Sequence, residues 1–394
     1  MLRHTHLQHA AAVLERVVRG EIPADDALRE RFAQHRNAGS RDRATITALL
    51  YGVLRNYFAL RAALGENASA LELCAAHALR SGMTQALPAL EGIAPEALAA
   101  RLTQAAPPDD AARHNLPSWL WQALQAEYGS AAAALAQALN AEGTVDLRVN
   151  TLKTTREQAA EALRAESIES DAIEGLDAGL RLRKRAALQN TRVLRDGWIE
   201  PQDAGSQRLA LFVAPAAGET VVDFCAGAGG KTLALGALMR NRGALHALDT
   251  SRGRLARFEP RLARSGLSIV QAQVLRNERD TRLRDLVERA DAVLVDAPCS
   301  GTGTLRRNPE LRLRPLDLDA QVATQRSILD AAARLVRPGG RLVYATCSVL
   351  KAENPGVVTA FLESHPDFRQ AGELILLPHR DGTDGFYAAR LARS

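Results

Sequence analysis

The chain has 394 residues, 46% hydrophobic and 24% charged, enough for two or three domains with packed cores and ordinary for a soluble globular protein. A formal net charge of +5 tilts it modestly towards a polyanionic partner, its longest apolar runs fall short of a membrane span, and its start, "MLRHTHLQHAAAV", has no signal-peptide core. A cytoplasmic protein is expected, and there four scattered cysteines do not make a disulfide framework.

Residues 1–115 read as an all-helical domain. "LQHAAAVLERVVRG" places apolar residues at helical spacing and stops at Gly20, and "SRDRATITALLYGVLRNYFALRAAL" reads as another such segment with Ser40 or Asp42 as its cap. The proline-rich "AAPPDDAARHNLP" (105–117) marks a boundary, after which "SWLWQALQAEYGS" restarts a helix that ends near Gly129. Residues 116–200 suggest a small α+β module: a short strand in "VDLRV", a threonine-capped helix, and strands around "GLRLRK" and "GWIEPQD". From 201 to 394 apolar strands alternate with helical runs ("TVVDF", "KTLALGALMR", "GALHALD", "SRGRLARFEPRLARSG", "SIVQAQV", "TRLRDLVERA", "DAVLVDAP", "LDAQVATQRSILDAAARLV", "RLVYATCS"). This is the βαβ rhythm of a doubly wound parallel sheet, so the fold class is α/β and Rossmann-like.

The glycine-rich stretch "VVDFCAGAGGKT" (221–232) joins a strand to a helix start, where backbone can approach an anionic or polar ligand. A P-loop needs glycine where this chain has Cys225, and the dinucleotide fingerprint needs glycine where it has Thr232. What remains is the D-x-x-x-G-x-G loop that methyltransferases use for S-adenosylmethionine, or a turn that merely connects two elements. On the first reading Asp223, Cys225, Ala226, Gly227, Ala228, Gly229, Gly230 and Lys231 surround the cofactor. Asp249, which ends the next apolar run, would then accept the ribose hydroxyls. Lysine is rare here: Lys153, Lys184, Lys231 and Lys351 are the only ones, and three of them lie in "RVNTLK", "GGKT" and "CSVLK".

Two cysteines follow apolar runs and each precedes a serine, in "DAVLVDAPCSG" and "GRLVYATCSVL". In a parallel sheet, ligands bind beyond the carboxyl ends of the strands, so Asp296, Cys299, Cys347 and Ser348 can face one substrate. The alternative is that they are small buried hydrophobes, which is the reading for Cys74. As turn residues beside Asp296 and near Lys231, both thiols are expected to have a lowered pKa.

"DAPCSGTGTLRRNPE" and "ATCSVLKAEN" resemble two signature motifs of the RsmB/Nop (Fmu/Sun) family of RNA cytosine-5 methyltransferases. "DFCAGAGGKT", with Ala228 where the family usually has proline, "RVNTLK", "EPQDAGSQ" and "DGFYAARLAR" are similar to the same pattern, so the likeness spans about residues 115–394. "RDRATITALLYGVLRNYF" resembles the NusB-like domain of the bacterial branch. The resemblance implies S-adenosylmethionine-dependent methylation of cytosine C5 in RNA, small-subunit ribosomal RNA foremost. Cys347 would attack C6, Cys299 would serve release, Asp296 would hold the N3/N4 edge and contact the cofactor, and Lys231 would touch the base. Cys299 as nucleophile, transfer RNA or DNA as substrate, and a non-catalytic assembly factor stay open. The family's third-strand acid is missing: "SIVQAQVLRNERD" offers Gln271 and Gln273, with no carboxylate before Glu278. No metal, no membrane and a monomer are expected. Arg306, Arg307, Arg312 and Arg314 would grip phosphates or lie in a solvated loop, and Arg254, Arg257, Arg261 and Arg264 would form a solvent face.

Overall fold

The computed structural model describes residues 2–84, 87, 93–105 and 109–394. Residues 106–108 of the expected proline-rich boundary lie outside the described residues. The chain divides into two compact units, one of Met1–Glu142 with Thr304–Pro315, the other of Gly143–Gly303 with Leu316–Ser394. This cut, at Glu142, differs from the expected boundaries after 115 and 200: helices Ser118–Tyr128 and Ala132–Asn140 cluster with the helical unit.

The helical unit is built on helices His4–Val18, Ser40–Arg55, Tyr57–Leu64 and Ala70–Arg80, whose Leu7, Leu14, Leu49, Leu50, Leu60 and Leu73 form one core. The segment expected as one long helix is two. Asn56 leaves helical geometry and its Nδ2 donates to Gly52 O at 2.9 Å, a side-chain bond that competes with continuation. Neither Ser40 nor Asp42 caps it. Gly39 is the cap residue, and Asp42 accepts hydrogen bonds from Arg3 and His6 at 3.0 Å instead.

Residues 304–315 leave the second unit and cluster with the first, and two of the arginines there, Arg306 and Arg312, do not lie in a solvated loop. Arg312 is buried, and its Nη1 donates to Arg55 O, Asn115 O and Asn140 Oδ1 at 3.2, 2.8 and 2.7 Å. Arg306 is buried too, and its carbonyl accepts from Arg55 Nη2 at 2.9 Å. A phosphate grip by Arg306 and Arg312 is therefore excluded by burial; Arg307 is half-buried and Arg314 exposed.

The second unit holds two sheets. Strands β1 (Asp146–Val149), β2 (Ser170–Ala172), β3 (Gly179–Leu182) and β4 (Ile199–Pro201) form an antiparallel sheet of order β2-β3-β1-β4. A threonine, Thr155, caps helix Arg156–Ala165 as the sequence predicts, and Gln158 in return accepts a bond from the Thr155 N–H. Strands β5 (Thr220–Asp223), β6 (Ala244–Asp249), β7 (Val270–Val274), β8 (Ala290–Asp296), β9 (Val336–Thr346), β10 (Phe368–Leu376) and β11 (Phe386–Arg393) form a sheet of order β10-β11-β9-β8-β5-β6-β7. The five strands from β9 to β7 are parallel, giving the Rossmann-like core, and β11 runs antiparallel between β9 and β10. "TRLRDLVERA", expected as a crossover helix, is reduced to a short 3-10 turn, Thr281–Leu286.

The residues singled out in "RVNTLK" are spent inside this unit. Arg148 is buried with Nε on Gln202 Oε1 at 2.7 Å, and Asn150 Nδ2 donates to Gly197 O and Ser265 O at 3.0 and 2.8 Å. Lys153 Nζ donates to Asp196 O and Arg264 O at 2.9 and 2.6 Å, placing a cation on the carboxyl end of helix Arg252–Ser265. On that helix Arg261 and Arg264 pair with the buried Glu200 of β4 at 3.1 and 2.6 Å, so half of the expected solvent face is an internal junction.

Candidate active site

Strand ends position four of the expected site residues. Asp223 closes β5, Asp249 closes β6, Asp296 closes β8, and Cys347 follows the last residue of β9. Because β9, β8, β5 and β6 are parallel neighbours, these ends open on one edge of the sheet.

The glycine loop rises from β5 and ends in helix Gly230–Leu238. Gly229 has φ +78°, and a Cβ there would lie 1.9 Å from the ring of the fully buried Phe258, so only glycine fits. Gly227, at φ +56°, faces open space, the nearest atom to a Cβ being Cys225 O at 4.0 Å. Gly227 N–H donates to Asp249 Oδ2 at 2.8 Å and Ser251 N–H to Oδ1 at 2.7 Å, fixing that carboxylate beside the loop. Ala226 packs into the apolar cluster of Leu233, Ala247, Leu255 and Phe258. Ala228 O accepts from Arg261 Nη1 at 2.5 Å and Gly230 O from Gln202 Nε2 at 3.2 Å.

Asp223 is buried, with Oδ2 accepting from Thr232 Oγ1 at 2.7 Å and Oδ1 without a hydrogen-bond partner. Burial foremost, helped by the charges of Asp296 and Asp249, pushes its carboxyl up to about 7 against the pull of Thr232 and Lys231. Burial, then Asp223, Asp296 and Asp249, raise the Cys225 thiol well above its usual range. A buried cluster of carboxylates, one with an orphaned oxygen, beside a loop with room at Gly227 suits a cationic sulfonium ligand. The residues present fit S-adenosylmethionine.

Across the edge the two thiols meet. Cys299 Sγ and Cys347 Sγ are 3.4 Å apart, brought together because β8 and β9 pair with Asp296 opposite Ala345. Lys231 Nζ donates to Asp296 Oδ2 at 2.7 Å and lies 5.5 Å from the Phe386 ring centroid. Burial opposes its charge, but Asp296 and then Cys347 outweigh burial and raise the Lys231 pKa. The expectation of a lowered thiol pKa fails for Cys299. Its hydrogen bond to Cys347, burial, and the charges of Cys347 and Glu353 push the Cys299 thiol well above the usual range. Asp223, Lys231, Asp249, Asp296, Cys299 and Cys347 are thus gathered at one edge. Gln271 is exposed and Gln273 half-buried on the edge strand β7, and Glu278 is bonded to Ser327 at 2.8 Å. The sequence reading missed Ser300, Gln325 and Glu353, which are joined beneath the thiols. The only signals for them were the repeated Cys-Ser and the glutamate of "KAEN".

Residues 210–392 match the family described as 16S rRNA methyltransferase RsmB/F, and residues 116–189 match its ferredoxin-like domain, which begins where the α+β module was expected. A Synechocystis protein described as a probable ribosomal RNA small subunit methyltransferase B is 34% identical over 72% of this chain and 68% of its own length. The chain belongs to the RsmB/F family. A ribosomal RNA small subunit methyltransferase B of Vibrio cholerae is 35% identical over 72% of this chain and 67% of its own length, whereas a Bacillus subtilis relative is covered over only 59%. Among solved structures, that of PH0851 superposes with a TM-score of 0.81 at 27% identity, covering 98% of both chains. A methyltransferase homologue from Pyrococcus horikoshii reaches 0.65 at 26% identity, over 73% of this chain and 98% of its own. As a member of this methyltransferase family the chain uses S-adenosylmethionine, with Asp223, the loop 225–230 and Asp249 as the residues that would hold it.

Among the described residues no group of His, Cys, Asp and Glu is arranged to hold a metal, and no helix is long and apolar enough to cross a membrane.

Proposed function

We propose that the chain methylates C5 of a cytosine in RNA, with small-subunit ribosomal RNA as substrate, through a covalent bond from Cys347 to C6 of the base. The reading rests on one observation above all: two thiols 3.4 Å apart beyond adjacent strands, beside the Lys231–Asp296 pair. The RNA class follows the names of the relatives, which are described as ribosomal RNA small subunit methyltransferases. In domain terms, residues 1–115 would be the NusB-like domain, 116–200 the RNA-binding module and 201–394 the catalytic domain.

C5 of cytosine is a poor nucleophile until sulfur adds to C6. Cys347 as thiolate forms the S–C6 bond, Asp296 holds the N3/N4 edge, and Lys231 orients Asp296 while its ammonium faces the charge that develops on the ring. S-adenosylmethionine, when bound, supplies the methyl group to C5. Release then requires removal of the C5 proton and cleavage of the S–C6 bond. Cys299 takes that proton as Cys347 departs as thiolate. The target base must leave its stack to enter such a site.

The test is a pair of variants incubated with RNA and S-adenosylmethionine. Cys299→Ala is expected to accumulate a protein–RNA adduct that survives denaturing electrophoresis, and Cys347→Ala to form neither adduct nor 5-methylcytosine. Trapping by Cys347→Ala instead reverses the two roles. Adduct in neither variant, together with no 5-methylcytosine from the unaltered protein, refutes the reading.

A further inference from the structure

Each cysteine of the pair precedes a serine, and both serines turn towards one buried carboxylate. Glu353 is fully buried. Its Oε1 accepts from Ser300 N–H at 2.8 Å and Gln325 Nε2 at 2.9 Å, and its Oε2 accepts from Ser300 Oγ at 2.5 Å and from Ser348 Oγ. Gln325, itself buried, also donates to Pro298 O at 3.1 Å, one residue before Cys299. The main chain around Glu353 is held as firmly. Tyr344 hydroxyl donates to Glu353 O at 2.6 Å, and Asn354 donates to Ser348 O at 2.9 Å while accepting from Thr346 Oγ1 at 2.5 Å. Burying a carboxylate is costly unless its oxygens are bonded, so a site that spends this many donors on one is not filling space.

We propose that Glu353 is a positioning residue for the reaction: its carboxylate clamps the turn after β8 to the turn after β9 and gives the attacking role to Cys347. The proposal rests on the covalent reading above and deepens it. Clamping comes from geometry, since Ser300 follows Cys299 and Ser348 follows Cys347, and both donate to the same oxygen. The choice of nucleophile comes from charge. The bond to Cys347, burial and the charge of Cys347 raise the Cys299 thiol, and the charge of Glu353 adds to them. The raised Cys299 thiol therefore keeps its proton 3.4 Å from the Cys347 sulfur, which leaves Cys347, beside the Lys231 ammonium, as the sulfur placed to attack. Once the Cys347 sulfur is bonded to C6, the bond that raised Cys299 most is lost. Cys299 then releases its proton to water and is free to take the C5 proton. The same device orders attack before release.

The decisive variant is Glu353→Gln, which keeps the shape and removes the charge. It is expected to lower kcat by about 10- to 100-fold, the scale of a misplaced reacting group. KM for RNA and affinity for S-adenosylmethionine should stay unchanged, since Glu353 does not touch the glycine loop. A readout free of RNA and cofactor accompanies it: alkylation of Cys299 followed against pH in Cys347→Ala, with and without Glu353→Gln. The midpoint should move to lower pH when the carboxylate is removed, a change that a merely structural role would not produce. An unmoved midpoint, or a wild-type kcat in folded Glu353→Gln, overturns the proposal. Should Glu353→Gln fail to fold, Ser300→Ala, which removes one hydroxyl donor to Glu353, carries the kinetic test; a wild-type kcat there overturns it as well. If the unaltered protein makes no 5-methylcytosine and Cys299→Ala forms no adduct, the covalent reading falls. The alkylation comparison still decides on Glu353.

Discussion

At the residue scale, neighbouring side chains of one motif do unlike work. Gly227 and Gly229 both lie at positive φ, but a side chain at 227 meets open space and one at 229 meets the Phe258 ring. Gly229→Ala is therefore expected to cost about 1–3 kcal/mol from overpacking beyond the backbone strain both sites share. It should also weaken S-adenosylmethionine binding by more than tenfold. In stability Gly227→Ala should lose only the strain, while its methyl enters the space beside Asp249 and also weakens S-adenosylmethionine binding; urea midpoints separate the two variants and calorimetric titration reads the loss of affinity they share. Similarly, the cysteines were legible because a thiol in a turn after an apolar strand can be placed by topology. Glu353 was not, because a glutamate in a polar stretch reads as exposed and only the fold shows it buried.

At the element scale, periodicity predicted helices well where packing agreed with it and poorly where a side chain intervened. Asn56 broke one expected helix by bonding Gly52 O, and "TRLRDLVERA" yielded only a single short turn. The helix Ala70–Arg80 carries a further consequence, because its His77 is buried against Gly52 of helix Ser40–Arg55. Burial, with a smaller push from Arg80, lowers His77 from 6.5 to about 4. The folded state thus holds it neutral, while the unfolded chain takes up a proton as pH falls below 6.5. Its contribution is intact above pH 6.5 and is lost as pH falls towards 4, at most about 3 kcal/mol. The expected result, by differential scanning calorimetry of both proteins, is that the thermal midpoint of the native chain falls relative to that of His77→Gln between pH 7.5 and 5; the raised Asp223, which works in the opposite direction, and the lowered His9 and His246 are common to the two proteins and cancel.

At the scale of the whole molecule, the chain leaves the catalytic unit just after the first cysteine motif and returns at Leu316. Residues 304–315 are held in the helical unit by the buried Arg312, whose guanidinium is lowered to about 9 by burial and by Arg55. Arg312→Met removes three hydrogen bonds and is expected to cost about 2–4 kcal/mol, the low end applying if relief of a buried charge offsets the loss. Hydrogen exchange should accelerate in 304–315 more than in the rest of the helical unit. Equal exchange in both regions would show that Arg312 does not anchor the segment.

The sequence by itself determined what depends on short chain distances: the strand–loop–helix around 221–232, the thiols beyond two apolar strands, the threonine cap of the helix after β1, and a family likeness carried by contiguous motifs. These survive translation into structure because each element places its own residues. Only the tertiary structure decided matters that depend on distant segments. It buried Arg306 and Arg312 in the helical unit, turned Arg148 and Asn150 of "RVNTLK" inward, added an antiparallel pair to a parallel sheet, and joined Glu353 to the serines that follow both thiols. The reason is that burial and hydrogen-bond partnership are properties of the assembled neighbourhood. No local pattern of residue types encodes how many donors will converge on one carboxylate.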